Sequence, residues 1–174
     1  MPAAVTHFII AMLLIRLFAS KFLKIKETRE LRLISFIGGL AGLLPDADFL
    51  VFYIKKIFAL TFSISSLHIA HRTLTHSLVF ALFFLVLALL FYKKKRIFTI
   101  LLVLSLGITI HIGLDFFTAN NLVLFYPFSE AMSGINLIPG AYYYQTRLLV
   151  SIDALIFVAW ISWLFYKNKL TDFV

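Results

Sequence analysis

The sequence predicts an all-α integral membrane protein: a helical bundle with about five transmembrane helices plus an interfacial or re-entrant helix. The chain is 62% hydrophobic and only 14% charged, whereas soluble domains are about one-quarter charged. Its mean hydropathy is +1.00. The apolar residues form five runs, and basic residues cluster at their ends, as topology signals do. The length suits one compact bundle, so residues 1–174 are expected to form a single membrane-embedded domain.

The five apolar runs cover residues 3–22, 33–44, 78–92, 97–117 and 148–166. The segment between the second and third runs, residues 49–66, is also apolar, but Lys55 and Lys56 stand at its centre. A spanning helix would not tolerate two lysines at mid-depth. We therefore expect this segment to lie in the outer interface or to re-enter the membrane.

Positive charge predicts the orientation of the runs. Three basic clusters, after the first, third and fifth runs, hold eleven of the sixteen Lys and Arg residues. Because such clusters mark the cytoplasmic side, we expect the N-terminus outside, the C-terminus inside, and residues 45–77 and 118–147 facing outward. The clusters also account for the net charge of +8. No basic stripe is interleaved with stacking aromatics, so a nucleic-acid partner is not expected.

The polar residues of the runs share one depth in the membrane. His7, Asp46, His111 and Asp153 each lie 14 or 15 residues from the nearest flanking cytoplasmic charge. At about 1.5 Å per residue this places them roughly 21 to 23 Å above the inner boundary. His76 comes to roughly 26 Å on the same scale. Since polar groups at such depth are costly, their common level predicts one shared site in the outer third of the bilayer.

The stretch from His71 to Ser77 places two imidazoles, a guanidinium and three hydroxyls directly before the third run. Thr75 or Ser77 could cap the helix that follows. Arg72 has two interpretations: an interfacial anchor whose side chain reaches water, or a clamp for an anion such as phosphate. His68 is either a further ligand or a surface residue.

The remaining motifs also have two interpretations each. His111 and Asp115, spaced i, i+4, share a helix face and could bind a cation or simply hydrogen bond to each other. Asp46 and Asp48 follow Pro45 and suit either a turn with a helix cap or a ligand position.

Gly38, Gly39 and Gly42 have the small-xxx-small spacing that lets helices approach closely. This spacing would bring Asp46 against the His-bearing helices, and homodimerisation is the alternative use. His7 is included because of its depth. Asp153 could instead interact with the start of its own helix or pair with Arg147.

The chain has no cysteine, so any metal must be held by His and carboxylates. Four or five imidazoles and three or four carboxylates suffice for one or two divalent ions. Mixed nitrogen and oxygen ligands suit zinc, which we place first, and also manganese or iron. A metal pair would activate water and stabilise the charge of a phosphoryl or acyl transition state. The serine nucleophile motif Gly-x-Ser-x-Gly is missing from the sequence.

Taken together, these motifs resemble a family of bacterial and archaeal membrane-bound metal-dependent hydrolases, labelled LexA-binding, inner membrane-associated hydrolases. The resemblance runs from Thr6 to about Pro127, and its most specific block is His71–Ser77. It implies a helical membrane protein with a divalent-metal site whose ligands would be His7, Asp46, His71, His76, His111 and Asp115. The set is also similar to that of zinc-dependent phospholipase C, another all-helical fold. No residue here predicts a repressor partner.

We therefore expect a hydrolase embedded in the inner membrane that acts on a lipid or lipid-linked phosphoester. Arg72 would hold the anion and Asp48 would act as the base. The alternative is a protein that binds or transports a divalent cation without turnover, which should show a polar path towards the cytoplasm. A third interpretation is a structural network of buried His–Asp hydrogen bonds. The sequence does not determine the oligomeric state.

Overall fold

The computed structural model describes residues 4–47, 74–118, 121–137 and 142–166, without the side chains of 142–145. These ranges contain five α-helices, one 3-10 turn and no β-strand, which confirms the all-α class for the described chain. The helices are α1 (Ala4–Lys21), α2 (Thr28–Ala41), α3 (Leu78–Leu90), α4 (Lys95–Thr118) and α5 (Tyr142–Tyr166). The 3-10 turn, Leu44–Asp46, follows α2.

Three segments are long and apolar enough to cross a membrane: Ala4–Lys21, Lys95–Thr118 and Thr146–Tyr166. The helices α2 and α3 have 14 and 13 residues. At about 1.5 Å per residue they are roughly 20 Å long, short of a hydrocarbon core of about 30 Å. The prediction of five full crossings is therefore supported for three of the runs. The segment predicted to be interfacial, residues 49–66, lies outside the described residues.

The short helices have local causes. After α2 the chain turns at Gly42 and enters the 3-10 turn, where Pro45 cannot donate a helical hydrogen bond. The start of α3 is set by Ser77, whose Oγ accepts the backbone N–H of Phe80 at 3.2 Å. Ser77, one of the two candidates predicted from the sequence, is therefore the N-cap.

The centre of the bundle is α4, which packs against α1, α2 and α3, while α5 packs on α1. Glycine makes the closest crossing possible. A Cβ added to Gly107 of α4 would lie 2.4 Å from Ala41 Cβ and 3.0 Å from the carbonyl oxygen of Gly38. The glycines predicted to let α2 approach its neighbours, Gly38, Gly39 and Gly42, pack within the chain against α1, where an added Cβ would lie 2.5–2.7 Å from Ile15, Phe8 and Ala11.

The two ends of the bundle differ in polarity. One end is filled by an apolar cluster of five buried residues: Ile15, Ala19, Ile25, Ile34 and Val103. The opposite end gathers the start of α1, the turn after α2, the start of α3 and the second half of α4. Because successive helices run in alternating directions, these four segments meet at one end, and the polar side chains lie there.

Candidate metal centre

Five ionisable side chains meet at the polar end: His7, Asp46, His76, His111 and Asp115. We call this group the His/Asp centre. The side chains of His76 and His111 are fully buried, and those of His7 and Asp115 are 3% and 2% exposed. Asp46 is 15% exposed. The side chains of the centre are therefore almost entirely removed from solvent.

Each side chain is placed by a local feature of its element. His7 lies in the first turn of α1, and His76 directly precedes the N-cap of α3. Asp46 ends the 3-10 turn. His111 and Asp115 are four residues apart on α4, so both project from one face of that helix.

The imidazole nitrogens face the carboxylates at distances that leave a small space between them. His7 Nε2 lies 3.3 Å from Asp115 Oδ1, and His76 Nε2 lies 3.3 Å from Asp46 Oδ1. His111 Nε2 lies 3.8 Å from both Asp46 Oδ1 and Asp115 Oδ2. His76 Nε2 is 3.9 Å from Asp115 Oδ2. Each carboxylate is thus shared by two or three imidazoles.

The tautomer of His111 follows from its other nitrogen. His111 Nδ1 lies 2.7 Å from the carbonyl oxygen of Gly42. A carbonyl oxygen only accepts hydrogen bonds, so Nδ1 must carry the proton and donate it. In the neutral ring Nε2 is then an acceptor, and it points at two carboxylate oxygens that are acceptors as well. A cation or a further proton is needed between these atoms.

The hydrogen bonding of His111 Nε2 and the two carboxylate oxygens likewise indicates that a cation or a further proton is needed between them. Within the described part of the chain, His111 Nε2, Asp46 Oδ1 and Asp115 Oδ2 are buried and have no hydrogen-bond partner. Leaving a buried polar atom unsatisfied costs about 1–3 kcal/mol, and more for a charged group. Three such atoms from three residues converge here, which fits a divalent cation with nitrogen and oxygen ligands.

Two triads of potential ligand atoms overlap in the centre. One consists of His7, His111 and Asp115, and the other of Asp46, His76 and His111. In each triad the ligand atoms lie within 4.8 Å of one another. Because Nδ1 of His111 is engaged by Gly42, only Nε2 remains to bind a metal, and His111 can serve one ion at a time. Buried His and Asp groups able to hold a metal ion are therefore present.

The structure brings together five of the six predicted ligands, all except His71. That residue lies outside the described residues, as do Asp48, Arg72 and His68. The five side chains come from four separate segments of the chain. That they bind a metal stays a prediction.

Asp153 makes a contact that was not among the alternatives considered for it. Its carboxylate accepts the backbone N–H groups of Val5 at 3.3 Å and of Thr6 at 2.5 Å, at the start of α1. The sequence indicated that Asp153 shares the depth of His7, but not that it binds the backbone of a neighbouring helix.

Two further contacts with the centre were missed. The Gly42 carbonyl holds His111, and Thr75 Oγ1 lies 3.1 Å from His76 Nδ1. Backbone acceptors carry no sequence signal, whereas the adjacent Thr75–His76 pair could have suggested the second contact.

The comparisons with known proteins identify a family. Neither the curated proteins nor the solved structures contain a significant match to the chain. A family model described as YdjM inner membrane protein matches residues 1–171 of the 174. This match confirms the resemblance drawn from the motifs. The chain belongs to the YdjM inner membrane protein family.

Proposed function

We propose that the protein is a divalent-metal-dependent hydrolase embedded in the membrane, acting on a phosphoester or lipid-linked substrate. The proposal depends chiefly on one observation. His111 Nε2 is an acceptor by virtue of the Gly42 contact, yet it faces carboxylate oxygens of Asp46 and Asp115 at 3.8 Å. A metal ion is the simplest occupant that satisfies three acceptors at once.

The ligands would be His7, Asp46, His76, His111 and Asp115. A divalent ion held by such ligands supplies Lewis acidity, which activates water for attack on a phosphorus or carbonyl centre. The carbonyl oxygen of Gly42 fixes the tautomer of His111, as hydrogen-bonded partners of ligating histidines commonly do. The close burial of the side chains keeps bulk water away.

Residues outside the described ranges complete the proposed machinery. Arg72, four residues before His76, would bind the anionic group of the substrate through its planar guanidinium. Asp48, two residues after Asp46, would accept the proton of the attacking water. The proposed orientation places the centre towards the outer leaflet, and its depth within the bilayer favours a lipid or lipid-linked substrate.

The rival proposal is a carrier for divalent cations, which needs a polar path through the bundle. Among the described residues the end opposite the centre is packed with Ile15, Ile25, Ile34 and Val103. The buried hydroxyl of Ser105 donates to the carbonyl oxygen of Ala81 at 2.8 Å. It is therefore engaged within the α3–α4 interface. These contacts favour a closed site over a conduit.

The first experiment is the metal content of the detergent-purified protein, measured by elemental mass spectrometry. We expect one or two equivalents of zinc, manganese or iron in the parent protein. His76→Ala and Asp115→Ala each remove a ligand and should lower the content by at least one-half. Ser105→Ala is the matched control, because it removes a buried hydrogen bond between α3 and α4 and no ligand.

Hydrolysis is then assayed with that metal on aryl phosphates, phospholipids and lipid-linked diphosphates. Turnover that disappears in His76→Ala but persists in Ser105→Ala is the expected result. A parent protein that contains no metal and takes up none would leave the His–Asp hydrogen-bond network as the better account. Bound metal without hydrolysis of any of these substrates would favour the cation-binding alternative.

A further inference from the structure

Asp153 lies outside the His/Asp centre but contacts the helix that carries His7. It is half-buried and stands within the apolar span Thr146–Tyr166 of α5. A carboxylate inside such a segment is costly, and residues of this kind usually have a specific use. In the structure, Asp153 forms hydrogen bonds that connect α5 to α1.

The carboxylate of Asp153 binds the backbone at the start of α1. Its Oδ2 accepts the N–H of Val5 at 3.3 Å, and its Oδ1 accepts the N–H of Thr6 at 2.5 Å. The first four N–H groups of a helix have no acceptor within the helix, and in an apolar environment each needs a partner. One side chain of α5 thus satisfies two of these groups in α1.

The residue that follows Thr6 is His7, the only member of the His/Asp centre on α1. Its Nε2 lies 3.3 Å from Asp115 Oδ1, and its ring centroid lies 4.2 Å from that of His111. These distances depend on where the first turn of α1 sits. Asp153 binds the two peptide N–H groups that directly precede His7, at the point where α1 brings the His7 imidazole against α4.

We propose that Asp153 is a positioning residue: its carboxylate clamps the first turn of α1 and so holds His7 at the distance from Asp115 and His111 needed to bind a divalent metal. The inference rests on the proposed function, since it assigns a support to the same centre. It also gives α5 a role in the centre, although α5 contributes no ligand to it.

The test uses cobalt(II) as the probe with the full-length protein in detergent. Cobalt reports its own ligands through its visible absorption, and its affinity is obtained by competition with a chelator. The variants are Asp153→Ala, which removes both acceptor oxygens, and Asp153→Asn, which keeps one. Ser151→Ala is the matched control, because Ser151 is exposed on α5 and its Oγ donates to the Arg147 carbonyl oxygen of the same helix.

We expect Asp153→Ala to bind cobalt at least about tenfold more weakly, as is typical when a residue that orients a metal ligand is lost. Its absorption spectrum should change in the same direction as that of His7→Ala, because an imidazole leaves the metal in both. Asp153→Asn should fall between Asp153→Ala and the parent. Ser151→Ala should match the parent in affinity and in spectrum.

A purely structural role would lower the unfolding temperature of Asp153→Ala but leave its cobalt spectrum and affinity unchanged. That result would overturn the inference and leave the proposed function intact. A parent protein that binds no cobalt would overturn both. If Asp153→Ala does not fold, Asp153→Asn decides: parent-like binding contradicts the clamp, and weaker binding with a changed spectrum supports it.

Discussion

The two ring nitrogens of His111 contact different neighbours. Its Nδ1 is held by the Gly42 carbonyl oxygen at 2.7 Å, and its Nε2 faces the carboxylates of Asp46 and Asp115. The i, i+4 spacing of His111 and Asp115 was visible in the sequence. The Gly42 contact was not, although it leaves Nε2 of the neutral ring as an acceptor and so argues against a simple His111–Asp115 hydrogen bond.

At the residue scale we predict that metal removal destabilises the parent protein. Ligand binding at 100 times its dissociation constant stabilises a folded protein by about 2.7 kcal/mol. For a chain of 150–250 residues, each kcal/mol corresponds to about 2–4 °C in unfolding temperature, so a chelator should lower it by about 5–10 °C. Thermal unfolding in detergent, followed by circular dichroism with and without chelator, measures this shift.

The Asp115→Asn variant provides the comparison. The substitution keeps the size of the side chain but removes the charge and one acceptor oxygen facing His111 Nε2. We expect its unfolding temperature to be the same with and without chelator. A chelator-dependent shift as large as that of the parent would show that the stabilising metal binds elsewhere.

At the scale of elements, the centre depends on how closely α2 approaches α4. Asp46 and the Gly42 carbonyl both lie just after α2, so the crossing at Gly107 determines their distance from His111. No Cβ fits there, because Ala41 Cβ would be 2.4 Å away. Gly107 of α4 therefore affects the position of the site as well as the packing of the two helices.

We predict that Gly107→Val separates α2 from α4. Overpacking of this kind costs about 1–3 kcal/mol in a well-packed core. The variant should unfold at a lower temperature and should also bind less metal, because Asp46 moves away from His111. Thermal unfolding and metal content, measured on the same preparation, test both parts.

Gly113→Ala on the same helix is the matched control. A Cβ at Gly113 meets nothing within 4 Å. Alanine favours helix interiors over glycine by about 0.5–1 kcal/mol, so this variant should be as stable as the parent or slightly more so. Gly107→Val with unchanged metal content would show that the α2–α4 distance does not control the centre.

At the scale of the whole molecule, the alternating helices divide the bundle into a polar end and an apolar end. The predicted orientation puts the polar end outside and the basic turn between α3 and α4 in the cytoplasm. Because the chain has no cysteine, single cysteines can be introduced as topology probes. Phe128 is 84% exposed in the described loop, and Lys94 is exposed in the basic turn.

We predict that Phe128→Cys reacts with a membrane-impermeant maleimide in intact cells from which any outer membrane has been removed. Lys94→Cys should react only after the membrane is permeabilised, because it lies on the side marked by positive charge. Labelling is read as a mass shift on a gel. The opposite labelling pattern would show that the protein has the inverse orientation in the membrane, with the His/Asp centre near the cytoplasmic face.

The positions of the helices could largely be predicted from the apolar runs. Whether each helix is long enough to cross the membrane could not. The run 97–117 corresponds to α4, Lys95–Thr118, and the run 78–92 to α3, Leu78–Leu90. The run 33–44, however, includes residues after α2, because hydrophobicity continues through Leu43 and Leu44 although the helix has ended. Apolar content shows what can be buried, but it does not locate the turn that ends a helix.

The sequence by itself determined the class of protein and the approximate positions of the helices, and it selected the five residues that meet in the His/Asp centre among the six ligands it predicted. Hydropathy and the level of each polar group depend on distances along the chain, and these can be counted. Only the tertiary structure decided that the Gly42 carbonyl fixes His111, that Gly107 allows α2 to approach, and that Asp153 caps α1. These contacts join segments far apart in sequence and use backbone atoms, which every residue has and which no side-chain pattern reveals.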